Sequence, residues 1–244
     1  MDDCRLDRHC NRMDSIIPIQ DSLGIPIEAY ILHLPGEGKK YIGGHLRRNK
    51  LINIEIPDNV TLITTATKDT EENCPLIEQL NRSGVNYINS AKDFKGEWKK
   101  TDKIPLIKEV LSRVTTPYSL VLDANDVVML KPIDDRFIET FKLFDCDILF
   151  NGSQYLYPKI ISARIEKEHE SLFVNHYLNA GVCFGYTEKL LKLYETAHYH
   201  SQNKCYEYFE SEQYYIRIAI IECENTIKTK IDDGSHLFLN SHGN

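Results

Sequence analysis

From Val60 to Phe150 the chain alternates between short β-branched apolar runs and longer segments whose apolar residues recur at helical spacing. Few architectures accept that order. Two parallel strands need a crossover between them, and a helix is the usual crossover. Residues 60–65, 85–88, 118–122 and 147–150 read as strands, and residues 71–80, 104–113 and 137–144 as helices. In the second helix Ile104, Ile107, Val110 and Leu111 form one stripe. Asp102 is its expected N-cap, and Pro105 falls in its first turn. The order predicts an α/β domain with a mainly parallel sheet flanked by helices.

Outside that core the pattern is looser. Residues 177–186 read as a strand interrupted by Gly181 and Gly185, followed by helices over 187–197 and 211–221 and a strand-like tail over 227–244. The economical organisation is one domain, 58–244, behind an N-terminal extension, 1–57, with strands expected at 27–34 and 51–56. The basic stretch 38–50 reads as a solvated surface.

Hydrophobic residues make up 42% and charged residues 27%, the balance of a chain that can bury a core. With 29 Lys+Arg against 36 Asp+Glu the net charge is −7, which argues against non-specific nucleic-acid binding. No apolar run reaches transmembrane length. The seven cysteines are scattered and form no C-x-x-C, which excludes a zinc ribbon and argues against a dense disulfide framework. Cys146 and Cys183 read as small core residues. The first residues are charged, with no apolar segment of signal-peptide type, so a reducing, cytoplasmic setting is expected.

The strongest chemical signal is Leu120-Val121-Leu122-Asp123-Ala124-Asn125-Asp126. A buried strand ends in two carboxylates three positions apart. In open α/β sheets ligands bind beyond the carboxyl ends of strands, and a turn there aims both acids at one divalent cation of the Mg²⁺ or Mn²⁺ kind. The plainer alternative is that Asp123 caps a turn and Asp126 is solvated.

Asp123-Ala-Asn-Asp126 after a buried strand resembles the metal-binding D-x-x-D of nucleotide-sugar glycosyltransferases. Further segments, in order, resemble the glycosyltransferase domain of the procollagen lysyl hydroxylase/glucosyltransferase family. Leu62-Ile63-Thr64-Thr65-Ala66-Thr67 resembles its first strand and nucleotide-contacting loop, and Gly96-Glu97-Trp98 with Asp102-Lys103 its Trp loop and following helix. Ile148-Leu149-Phe150 running to Tyr157-Pro158 resembles a strand ending in Trp-Pro. Leu178-Asn179-Ala180-Gly181 with Gly185-Tyr186 resembles L-N-S-G…G-[FY], and Ser211-Glu212-Gln213 stands where the family has Asp-Asp-Gln. His242-Gly243-Asn244 resembles H-G-N, whose His completes the metal site. The chain departs from the pattern at Asn125, where the family has an aromatic residue able to stack on uracil, at Ser211 and Ser153, where acids are absent, and in a shorter 231–242 segment.

The resemblance implies a GT-A-type, Rossmann-like α/β fold with a mixed, mainly parallel sheet flanked by helices, and a transferase moving a hexose from a UDP-sugar to a hydroxyl acceptor, a glycan or hydroxylated peptide. Its implied metal ligands are Asp123, Asp126 and His242, a set suiting Mn²⁺ better than Mg²⁺. Thr65, Ala66, Thr67, Trp98, Lys103, Asn125, Asn179, Ser211, Gln213, Gly243 and Asn244 are its implied substrate-binding residues, with Asn179 bonding sugar hydroxyls or else simply forming a turn with the neighbouring glycine. Lys103, near a helix start, would face a phosphate, or else is a solvated lysine. Trp98 covers a substrate or fills the core. Glu212 serves acid–base or sugar-binding chemistry, or else is a helix-start acid behind a Ser211 cap. His198 and His200 read as surface residues. Another metal-dependent nucleotide enzyme, such as a nucleotidyltransferase, and a non-catalytic sugar-nucleotide-binding domain are the alternatives.

Overall fold

The computed structural model describes residues 29–42, 53–71, 74–157, 177–203 and 211–241. In chain order the strands and helices are β1 (Ile31–His33), β2 (Val60–Thr65), α1 (Lys68–Glu71), α2 (Pro75–Ser83), β3 (Ile88–Asn89), α3 (Lys103–Leu111), β4 (Tyr118–Asp123), β5 (Val127–Met129), α4 (Asp135–Leu143), β6 (Ile148–Ser153), β7 (Tyr177–Tyr186), α5 (Thr187–Asn203), α6 (Glu212–Cys223), β8 (Thr229–Asp232) and β9 (Phe238–Asn240). Among the described residues no helix is long and apolar enough to cross a membrane.

Six strands form the main sheet in the order β3-β2-β4-β7-β6-β8. All run parallel except β7, which is antiparallel to both β4 and β6. The central strand β4 is apolar on both faces because both are covered. Val121 faces α3, α5 and α6 through Ile104, Ile107, Leu193 and Ile216. Leu120 and Leu122 face α2 and α4 through Leu76, Leu80, Phe137 and Phe141. On that second side Phe184 is met edge-on by Phe137 at 4.9 Å and by Phe141 at 4.8 Å.

Local chemistry fixes the helix ends. Pro75 opens α2, and Gly84, in the left-handed region at φ +67°, closes it. The Asp134 carboxylate caps α4 by accepting Phe137 N–H at 3.0 Å. Asp102 does not cap α3. It sits in the helical region, and its carboxylate instead accepts Lys99 N–H at 2.8 Å across a 3-10 turn.

A second sheet, β5-β1-β9, packs on the α2/α4 side and was only partly legible in the sequence. Of the expected strand at 27–34, residues 31–33 form β1, and residues 27 and 28 lie outside the described residues. Within the expected strand 51–56, residues 53–56 form no ladder, and Leu51 and Ile52 lie outside the described residues. There Ile54 N–H bonds Ser83 Oγ at 3.1 Å and Glu55 O accepts Ile133 N–H at 2.9 Å. β5 was not anticipated. The buried Gln79 amide clamps it, donating to Met129 O at 2.7 Å and accepting from Met129 N at 2.8 Å. Among the described residues of the strand-like tail, β8 and β9 are separate strands. Between them the buried Asp232 carboxylate accepts the N–H groups of His236 at 2.8 Å, Leu237 at 2.6 Å and Phe238 at 2.8 Å. His200 is buried, not a surface residue, with Nε2 2.5 Å from Glu222 Oε2.

Asp232→Ala strands three backbone donors, two of them in buried bonds. Urea denaturation should show a loss of about 3 kcal/mol or more, at about 1–3 kcal/mol per unsatisfied buried group. An unchanged midpoint would show that the β8–β9 turn does not depend on this carboxylate.

Candidate active site

The two sheets meet at the carboxyl end of β4. Register pairs Thr65 of β2 with Asp123, and Asn151 of β6 with Asn179 of β7, so these residues share one end of the main sheet. The β6–β7 register shifts at Phe150/Asn151, as at a β-bulge, opposite the stretch of β7 that holds Gly181. After Asp123 the chain turns through Ala124 and Asn125 into β5, which leaves the main sheet to pair antiparallel with β1. Asp126 O accepts Leu34 N–H at 2.7 Å, tying the turn to the end of β1. The D-x-x-D pair is therefore held at a junction between sheets.

His33, the last residue of β1, is 2% exposed. Its Nε2 is 3.6 Å from Asp126 Oδ1, and its Nδ1 is 3.2 Å from Asn151 Nδ2. One ligand atom each from His33, Asp123 and Asp126 lie within 4.8 Å of one another, a cluster able to hold a metal ion. Gly181 forms its floor. A Cβ there would lie 2.6 Å from His33 Cε1 and 2.8 Å from Asp123 Oδ2.

Two ammonium groups balance the acids. Lys103, the first residue of α3, is 8% exposed. Its Nζ contacts Asp123 Oδ1 and lies 3.2 Å from Glu212 Oε1. Lys39 Nζ is 3.1 Å from Asp126 Oδ2. Burial disfavours the charged form of Lys103, yet Asp123 and Glu212 hold its pKa well above the ordinary lysine value. Burial pushes the Asp123 carboxyl up, with Asp126 and Glu212 adding to it and Lys103 opposing. Burial also works against Asp126, but with the ion absent the His33 ring, when it carries a second proton, and the Lys39 ammonium outweigh it and hold the Asp126 pKa at about 2.

The junction opens on a cleft of about 550 Å³ lined by Thr65, Trp98, Lys103, Asp123, Asn125, Asp126, Ser153, Asn179, Ser211, Glu212 and Gln213. Ala66 and Thr67 do not line it. The buried Ala66 instead uses its N–H and O to bind the Asn89 amide, at 3.0 and 2.9 Å. Trp98 is 36% exposed and stands edge-on to Phe94 rather than in the core. Lys103 is not the solvated lysine of the plainer reading. Asn125 Oδ1 accepts from Cys74 Sγ at 3.0 Å. Asn179 Oδ1 takes Gly181 N–H at 2.8 Å. Gln213 accepts Ala180 N–H at 3.0 Å and donates to Tyr157 O at 2.5 Å. Ser211 has the extended backbone of an N-cap, but its side chain makes no capping bond. His242, Gly243 and Asn244 lie outside the described residues. A second cleft, of about 610 Å³, lies at the amino ends of β2 and β4, and its acids Glu55 and Asp58 are exposed.

Sequence reasoning missed His33, Lys39 and Asn151. The one available signal was a histidine closing an apolar strand just before Pro35-Gly36. Lys39 was hidden inside a basic run that reads as surface.

The acid pair stands at the carboxyl end of the central strand of a mixed, mainly parallel sheet, the place where open α/β sheets bind their ligands. Residues 57–244 match the family described as the PLOD GT domain. The chain belongs to this family and is a glycosyltransferase, as the order of its motifs implied. No curated protein matches it. One solved structure, a crystal structure of a glycosyltransferase involved in the glycosylation of the major capsid of PBCV-1, is similar over 71% of this chain and 82% of its own, at 14% identity and a TM-score of 0.42.

Gly181→Ala places a methyl against both His33 and Asp123. It should cost about 1–3 kcal/mol in urea denaturation, the scale of overpacking. The cost should shrink in a His33→Ala background, which removes one of the two obstacles. Equal costs in both backgrounds would mean that Gly181 does not support this cluster.

Proposed function

We propose that the protein transfers a hexose from a UDP-sugar to a hydroxyl group of a glycan or hydroxylated peptide, using a divalent cation, Mn²⁺ ahead of Mg²⁺. The observation that carries this reading is the convergence of Asp123 and Asp126 at the mouth of a cleft that also presents Lys103, Lys39 and Glu212. The donor set fits such an ion, because two carboxylate oxygens with an imidazole nearby match hard to borderline divalent metals. Asp123 and Asp126 would hold it, with His242 added by the family resemblance. When bound, the cation offsets charge on the departing diphosphate as a Lewis acid.

The chain's own groups supply the rest. Lys103 and Lys39 bring positive charge to the same wall, where a diphosphate would lie. Glu212 is the acid nearest Lys103 that is not part of the D-x-x-D pair, so it is assigned to the sugar side, as hydrogen-bond acceptor or proton carrier. Asn179 has its Oδ1 occupied by Gly181 N–H, which leaves its NH₂ to donate to a sugar hydroxyl. Trp98 offers an aromatic edge at the cleft rim.

A panel of UDP-hexoses, read as UDP release with and without Mn²⁺, tests the reaction. Asp123→Asn and Asp126→Asn should each lower release about 100-fold or more, the scale of losing one preorganised electrostatic group, while circular dichroism remains native. Full turnover in both folded variants would contradict the reading. Glu212→Gln should cut transfer while leaving UDP affinity within about twofold, about 0.4 kcal/mol. Wild-type transfer in that variant would return Glu212 to the role of a helix-start acid.

A further inference from the structure

We infer that His33 ligates the cation directly through Nε2, so the N-terminal strand, which lies outside the family match, supplies part of the metal centre. The inference rests on the metal reading above and adds a ligand that the D-x-x-D and H-G-N motifs do not contain.

Three features point to it. His33 Nε2 is buried with no hydrogen-bond partner, a state that normally costs free energy unless something else satisfies the atom. Its 3.6 Å separation from Asp126 Oδ1 is too long for a hydrogen bond. It suits two ligands of one ion, because bonds of about 2.0–2.2 Å put neighbouring ligand atoms about 3–4.4 Å apart. The space is also kept open by the chain itself. Gly181 has no side chain at the point where a Cβ would lie 2.9 Å from His33 Nε2 and 2.8 Å from Asp123 Oδ2.

Asn151 completes the arrangement as a positioning residue. Its amide sits 3.2 Å from His33 Nδ1, and its Oδ1 is itself buried without a partner. Turning the amide by half a rotation sets Oδ1 against Nδ1–H and leaves the Nε2 lone pair facing the two carboxylates. That is the tautomer a ligand histidine needs, with its other ring nitrogen donating to an oxygen. A lone pair facing two carboxylates is repelled unless a cation lies between them, so this tautomer and the ion stabilise each other. The backbone reinforces the placement, since Leu34 N–H bonds Asp126 O at 2.7 Å and His33 O accepts Ser241 N–H at 2.9 Å.

The test is Mn²⁺ alone added to the intact chain, followed by calorimetry and by electron spin-echo envelope modulation, which detects nitrogen bonded to Mn²⁺. His242→Ala should retain an imidazole nitrogen signal. His33→Gln, with His33→Asn as a second variant and native circular dichroism as the folding control, should weaken Mn²⁺ binding about tenfold or more. Combined with His242→Ala it should abolish the nitrogen signal. Wild-type affinity and an unchanged nitrogen signal in a folded His33 variant would overturn the inference while leaving the acid pair as a metal site. Failure of the wild-type chain to bind Mn²⁺ would overturn both.

Discussion

Asp123 and Asp126 bring two carboxylates together in a wall that is largely removed from water, and each raises the cost of ionising the other. Most of the surrounding architecture can be understood as compensation for that cost. Lys103 is carried in at the start of α3, a helix fixed by packing Ile104 and Ile107 against the main sheet. Lys39 comes from the short turn behind β1, and His33 from β1 itself. Each of the three comes from a different part of the sequence from the acids, so the site forms only when both sheets are assembled.

The route from sequence to site passes through packing that has no catalytic content of its own. Gln79 replaces a missing ladder partner of β5 and so fixes the turn that carries Asp126. Asp232 gathers three backbone N–H groups and sends β9 alongside β1, parallel, with His33 opposite Asn240. β1 is thus held on one side by the strand after the acid pair and on the other by the strand that leads toward His242. A segment before residue 57 and one near the chain's last residues are coupled to the same pair of carboxylates.

The parallel part of the fold was legible because its strands are buried on both faces and its helices carry apolar stripes, so each run such as 118–122 announces itself locally. The acid pair was legible for the same reason, as an abrupt change from apolar strand to carboxylates. β5 and β9 are three residues each and owe their existence to a side-chain clamp and a turn, neither of which leaves a periodic trace. His33 and Lys39 were invisible as site residues because their partners lie some ninety positions away. Lys103 read equally as a solvated lysine beside Lys99 and Lys100, and only the closure of α3 onto β4 and α6 separates it from them. Thr67 shows the reverse case. It matches a motif, but the loop after β2 directs Thr67 to hydrogen-bond Thr70, away from the cleft lining.

The central claim is that the junction between the two sheets is a metal centre. Anomalous diffraction at the manganese edge, from crystals of the whole chain grown with Mn²⁺, tests it directly. The account predicts a single strong peak about 2.2 Å from one oxygen each of Asp123 and Asp126 and from His33 Nε2, with the Lys103 and Lys39 ammonium groups moved off those oxygens. A peak elsewhere, or none at the acid pair while both lysines keep their present contacts, would contradict it.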